Sequence, residues 1–314
     1  MTKAVISGLV RPLLESRLPA SIDVAWIMSA DEALREVTDA DIAWVDMHDK
    51  QAMRNIMLAG ERLQWVSTIY AGLDHFPVDE LRARGTRVTN GVGVNTIAVA
   101  EYALLGMLSI AKGYADVVRA ADRREWLYAS PGHEELYESR ALIIGYGAIG
   151  AAVGARLKAF GVEVTGVART ARPDDGILGA DAWQAQIGDY DWVVLATPAT
   201  AETTALIDAA LLAAMKPTAV LVNVARGSCI DQDALVDALR SKRIAGAFLD
   251  VTTPEPLPAD HVLWTLPNVQ ISMHLSGQAQ TKMFQRSAAL FLDNAVRFLA
   301  GEPLVNEVDL LLGY

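Results

Sequence analysis

Along the first hundred residues, short β-branched apolar runs alternate with stretches whose apolar positions recur at helical spacing. Residues 3–8, 22–27, 41–45 and 65–70 read as strands. Strands that alternate with helices pair in parallel, so this stretch predicts a parallel sheet covered by helices. The run from Thr96 to about Arg124 keeps helical periodicity without a proline, and Asn95 stands where an N-cap belongs. One long helix is expected there. Beyond Pro131-Gly132, strands are expected at residues 141–144, 163–167, 192–196, 220–224, 247–249 and 269–271. Helical segments at 149–160, 205–215 and 231–241 lie between them, the last opened by a capping Asp231. A final amphipathic helix over 278–299 is stopped by Gly301-Glu-Pro.

Length and composition agree with two α/β units. The 314 residues suffice for about two domains, and 52% hydrophobic with 21% charged residues describes an ordinary globular chain. A net charge of −11 argues against nucleic acid and anionic membranes as partners. The longest apolar stretch, 96–111, is short for a membrane span and carries Glu101. A single cysteine, Cys229, excludes an intramolecular disulfide and a Cys-rich metal site, which fits a reducing compartment. No metal is expected. The short apolar run near Lys3 is followed by no small-residue cleavage site, so the chain reads as a mature, soluble, cytoplasmic protein.

An apolar strand runs into Gly145-Tyr146-Gly147-Ala148-Ile149-Gly150 and then a helix. In that context Gly145 permits a tight turn, Gly147 lets a pyrophosphate approach backbone, and Gly150 permits close helix packing. Amides at the helix N-terminus then face the phosphates. The end of the next strand selects the cofactor. A carboxylate there would bind the adenosine ribose and repel a 2′-phosphate. Ala168 holds that place, followed by Arg169, Thr170 and Arg172, and guanidinium groups match phosphate geometry. NADP(H) is the expected preference, with NAD(H) as the alternative.

Three further strand ends carry chemistry: Asn223-Val-Ala225-Arg226-Gly227, Asp250-Val-Thr-Thr-Pro-Glu255 and Ser272-Met-His274. Each is separated from the next by about the length of a helix plus a strand, as adjacent strands of a doubly wound sheet would be, and ligands sit at their carboxyl ends. Arg226 can hold a carboxylate and a carbonyl oxygen in its planar fork. His274 suits proton donation, and a paired Glu255 would fix its ring. His48, His133 and His261 have no metal-like partner spacing and read as structural or exposed. His75 fits either a cleft lining or a turn.

These motifs, with Tyr70-Ala71-Gly72-Leu-Asp74, Ala100-Glu101, Ala196-Thr197-Pro198 and Met215-Lys-Pro217, resemble the D-isomer-specific 2-hydroxyacid dehydrogenases, in their glyoxylate and hydroxypyruvate reductase-like branch. The resemblance covers almost the whole chain. It implies a Rossmann doubly wound cofactor domain, residues 95–281, inserted into a smaller flavodoxin-like substrate domain, residues 1–94 and 282–314. It implies hydride transfer between a 2-oxo acid and a D-2-hydroxy acid, with catalytic Arg226, Glu255 and His274. Cofactor contacts from Thr197, Pro198, Ala225 and Asp250, substrate contacts from the Ala71 and Gly72 amides, and a homodimer are implied too. Trp126, Trp264, Tyr70 and Met273 are candidates for shaping substrate choice. Glyoxylate or hydroxypyruvate is the expected substrate. A bulkier 2-oxo acid, or a dinucleotide-sensing co-repressor-like role, is the alternative. The sequence departs from the family pattern in Met273, where proline usually precedes the histidine, in the missing acid at Ala168, and in Thr252-Thr253, where many relatives carry a Phe.

Overall fold

A computed structural model describes residues 1–311 of the chain, so 312–314 of the expected substrate domain lie outside the described residues. The chain divides into two compact units, Met1–Asn95 with the chain from Ala279 onward, and Thr96–Gln278.

The first unit holds β1 (Thr2–Ser7), β2 (Ile22–Ile27), β3 (Ile42–Trp44), β4 (Trp65–Ser67) and β5 (Arg87–Thr89), all parallel, in the order β2-β1-β3-β4-β5. This is the flavodoxin-like order. Its helices are α1 (Arg11–Leu14), α2 (Ala30–Glu36), α3 (Lys50–Ala59) and α4 (Val78–Ala83). Asp49 caps α3, its carboxylate accepting the Ala52 amide at 2.9 Å. One sheet face, with Val5, Ala43, Val66 and Val88, packs on Met53, Ile56 and Met57 of α3 and Leu81 of α4.

The second unit begins with α5 (Thr96–Ala111) and α6 (Tyr114–Asp122). Its sheet comprises β6 (Arg140–Ile144), β7 (Glu163–Val167), β8 (Ile177–Leu178), β9 (Trp192–Leu195), β10 (Val220–Asn223), β11 (Gly246–Leu249) and β12 (Val269–Ile271). The order β12-β11-β10-β9-β6-β7-β8 is the Rossmann arrangement extended by one strand, and every pairing is parallel. Its helices α7 (Ala148–Ala159), α8 (Ala209–Ala214) and α9 (Gln232–Arg240) complete two buried layers, one on each sheet face. The chain then returns to the first unit with α10 (Gln280–Ala300). There Phe291 stacks on Trp44 and Trp65 at 5.1 and 4.8 Å between ring centroids, closing the second face of that sheet.

Three local expectations are corrected. The single helix over 96–124 is two helices bent by 74°, because Gly113 adopts φ +59° and its backbone packs against Pro131 and Gly132, where no side chain would fit. The oxygen Oδ1 of Asn95 accepts no hydrogen bond, so it does not cap α5. The helix expected from 205 begins at Ala209: Ala205 takes φ +49°, Ile207 bridges to Ile230, and Asp208 makes the cap by accepting the Leu211 amide. Among the described residues no single helix is long and apolar enough to cross a membrane.

Candidate active site

The β6–α7 turn lies beside the point where strand order reverses between β6 and β9. Gly145 takes φ +97°, and a Cβ there would lie 2.6 Å from the Ala196 carbonyl and the Thr197 amide nitrogen. A Cβ on Gly150 would strike the Gly145 carbonyl oxygen, so α7 approaches the turn as closely as glycine allows. Around Gly147 the space is open. No side chain caps α7, which leaves amides at its start, around Ala148 and Ile149, for a ligand. Tyr146 supports the turn: its amide donates to Val167 O at 2.7 Å, and its ring lies against Gly166.

At the end of β7, Arg169, Thr170 and Arg172 are exposed and Ala168 donates its amide to Leu178 O. Arg172 Nε stands 3.8 Å from Asp175. Thr197 and Pro198 follow β9, with Pro198 O accepting the Thr203 hydroxyl at 2.7 Å.

Arg226 follows β10 in extended backbone, its Nη1 donating to Ala225 O at 2.8 Å. Asn223 fixes this turn: Nδ2 donates to Arg226 O at 2.9 Å and Oδ1 accepts the Ala225 amide at 3.0 Å. Gly227 packs on the Thr252 backbone, which brings the loops after β10 and β11 together. In the second loop Glu255 Oε1 accepts the Thr252 amide at 3.1 Å, and Oε2 accepts from Nδ1 of His274 at 2.7 Å. Burial pushes the Glu255 carboxyl up, but the His274 hydrogen bond and charge, the Thr252 amide and the Arg226 charge together hold it below the usual carboxylate range. The structure therefore joins Glu255 and His274 directly and couples Arg226 to Glu255 electrostatically. The His274 side chain is 47% exposed, so the ring remains reachable from solution.

The His274 loop has an unusual backbone. Met273 and His274 take φ +54° and +57° in succession, a left-handed geometry that costs of order 1 kcal/mol or more per non-glycine residue. Proline, locked near −65°, could not occupy position 273 in this geometry. Asp250, 2% exposed, holds the loop. Its Oδ1 accepts Ser272 Oγ at 2.7 Å, the Leu275 amide at 3.1 Å and the Ser276 amide at 3.2 Å; its Oδ2 accepts the Ser276 hydroxyl, and its carbonyl accepts the His274 amide at 2.5 Å. The sequence singled out Asp250 without its partners; the serines two residues on either side of His274 were the available signal.

In the first unit, the 70–72 loop follows β4. Tyr70 O accepts the Gly91 amide at 2.8 Å and Ala71 O accepts Asn90 Nδ2 at 2.9 Å. Among the described residues the Ala71 and Gly72 amides meet no acceptor. His261, by contrast, caps a short turn by accepting the Leu263 amide, and Cys229 is fully buried.

A family model described as D-isomer specific 2-hydroxyacid dehydrogenase, NAD binding domain, matches residues 104–276. The human glyoxylate reductase/hydroxypyruvate reductase is 33% identical, the alignment covering 96% of this chain and 98% of the relative. A D-isomer specific 2-hydroxyacid dehydrogenase family protein from Aeromonas salmonicida superposes with a TM-score of 0.88 at 28% identity, covering 98% of this chain and 99% of that one. The NADPH-dependent glyoxylate/hydroxypyruvate reductase of Sinorhizobium meliloti, solved with NADP and malonate, gives 0.81 at 28% identity, covering 99% and 98%.

Proposed function

The chain belongs to the D-isomer specific 2-hydroxyacid dehydrogenases, and on that premise we propose that it reduces glyoxylate or hydroxypyruvate with NADPH as its preferred donor. The observation that carries this reading is the 2.7 Å pair of His274 and Glu255 on the sheet edge that also presents Arg226.

The β6–α7 turn suits a dinucleotide, because the open space at Gly147 and the uncapped start of α7 admit a pyrophosphate to backbone amides. When bound, the nicotinamide ring supplies the hydride. Arg226 holds the substrate carboxylate and carbonyl oxygen, and its charge stabilises the alkoxide as it forms. His274 delivers the proton from Nε2, since Nδ1 is committed to Glu255, whose negative charge balances the doubly protonated ring. In oxidation the pair works in reverse. In the first unit, the Ala71 and Gly72 amides, which meet no acceptor among the described residues, suit a substrate carboxylate. Arg169, Thr170 and Arg172 take the 2′-phosphate, a role supported by their exposure at the end of β7 and by Ala168 in place of an acid.

The same reading makes the protein a cytoplasmic homodimer. Support for the homodimer comes from the segment after α6, where Trp126 is 82% and Tyr128 97% exposed.

Steady-state oxidation of NADPH and NADH with glyoxylate, hydroxypyruvate, pyruvate and an aryl 2-oxo acid tests the proposal. NADPH is expected to be favoured about tenfold or more, equivalent to about 1.4 kcal/mol, with glyoxylate and hydroxypyruvate turned over fastest. Absence of turnover with all four acids overturns it.

A further inference from the structure

Lys50 opens α3 just after β3, at the carboxyl edge of the first unit's sheet. Flavodoxin-like sheets take ligands at that edge, beside the β1/β3 reversal. Its Nζ stands 3.3 Å from the centroid of the Tyr70 ring. Among the described residues, Nζ has no hydrogen-bond acceptor and no carboxylate within ion-pair distance. Asp46, whose charge it feels, spends its oxygens elsewhere: Trp44 Nε1 donates at 2.7 Å, the Thr68 hydroxyl at 2.5 Å and the Ile69 amide at 2.7 Å.

The surroundings are built rather than loose. Tyr70 donates its hydroxyl to Met47 O at 3.3 Å and meets the His75 ring edge-on at 5.2 Å. Burial pushes the Tyr70 phenol up to about 12, so it stays neutral at physiological pH. Burial also draws the Lys50 ammonium below the usual lysine range, while Asp46 opposes that shift. A half-buried ammonium backed by an aromatic face still has N–H donors to place, and the favourable partner is an oxygen brought from solution.

Tyr70 directly precedes Ala71 and Gly72, the amides assigned above to the substrate carboxylate. The Tyr70 ring and these amides therefore belong to one loop. We propose that Lys50 is a specificity-determining residue, its ammonium taking a hydroxyl or carboxylate oxygen on the carbon beyond the substrate carbonyl, with the Tyr70 ring as the wall behind it. This rests on the 2-oxo acid reading and, of its two substrates, concerns hydroxypyruvate, which alone has an oxygen-bearing tail. A purely structural cation–π contact would not discriminate between substrates.

Hydroxypyruvate and pyruvate differ by one hydroxyl at that carbon, so the ratio of their kcat/KM values isolates the contact. The full chain, assayed with NADPH and NADH, is compared with Lys50→Met and Lys50→Arg, folding being checked by melting. The hydroxypyruvate-to-pyruvate ratio is expected to fall about tenfold or more in Lys50→Met, chiefly through KM for hydroxypyruvate, and to stay within about threefold in Lys50→Arg. An unchanged ratio in a folded, active Lys50→Met overturns the assignment of Lys50 alone. A wild-type protein that reduces none of the 2-oxo acids overturns the underlying reading, and this one with it.

Discussion

Glu255 Oε2 lies 2.7 Å from His274 Nδ1 while Oε1 holds the Thr252 amide, so one carboxylate ties the loops after β11 and β12 together. The pair has two separable duties, proton transfer at the imidazole and orientation by the acid. His274→Ala is expected to lower kcat by about 10² or more with little change in cofactor affinity. Glu255→Gln keeps a hydrogen-bonding side chain and removes the charge, and is expected to cost less, roughly tenfold, while altering the pH dependence of kcat/KM. Steady-state profiles of both variants, with cofactor titrations followed by fluorescence, measure this.

Asp250 accepts four hydrogen bonds at its carboxylate and one at its carbonyl from the 272–276 segment. Asp250→Ala leaves buried donors unsatisfied, at about 1–3 kcal/mol for such a group, and frees the paired left-handed residues 273 and 274. The expected outcome is a fall in kcat larger than the change in cofactor Kd, read by single-turnover kinetics and a binding titration. Equal loss in both would assign Asp250 to cofactor contact alone.

The cofactor preference is expected to reside in the β7 end. Arg169→Ala with Arg172→Ala should raise KM for NADPH about tenfold or more and leave KM for NADH within about threefold, because only NADPH carries the 2′-phosphate. Placing Asp at position 168 should push the ratio further toward NADH.

Arg87 forks onto Glu307, Nε to Oε1 at 2.9 Å and Nη2 to Oε2 at 2.6 Å, beside the antiparallel bridge between Thr89 and Glu307. The Arg87 hydrogen bond, against burial and aided by the Leu304 amide and the Arg87 charge, holds the Glu307 carboxyl below its usual range. A depressed acid contributes stability above its unfolded pKa, about 4.3, and loses it as pH falls through the folded value. Glu307→Gln should therefore lower Tm by a few degrees from pH 7 down to about 5, corresponding to about 1 kcal/mol after solvent screening. The gap should narrow as pH falls below about 4.3 and close once pH passes the lowered folded value. Melting curves across that range show it.

Much of this architecture is legible because parallel strands buried on both faces are written as unbroken apolar runs, such as Ala141 to Ile144, and because the sequence places Arg226, Glu255 and His274 just beyond such runs. What the sequence hides depends on distant partners. Gly113 marks locally only a permissive position, and the backbone of residues 131 and 132 that packs against it lies far along the chain. β5 and β8 span three and two residues, too few to show a period. Lys50 reads as an ordinary charge at a helix start, and only folding sets the Tyr70 ring beneath it. Asp250 likewise acquires its partners from a loop beyond the following strand.

The stacking of Phe291 on Trp44 and Trp65 also bears on synthesis. Both tryptophans leave the ribosome long before α10, and at about 5–20 residues per second the delay is roughly 10–45 s. During that interval the face of the N-terminal sheet that α10 covers lacks that cover, while the residues of the second unit emerge. The first unit to be made is thus the last to be finished, and Trp44 and Trp65 are part of the surface a chaperone would meet on the nascent chain.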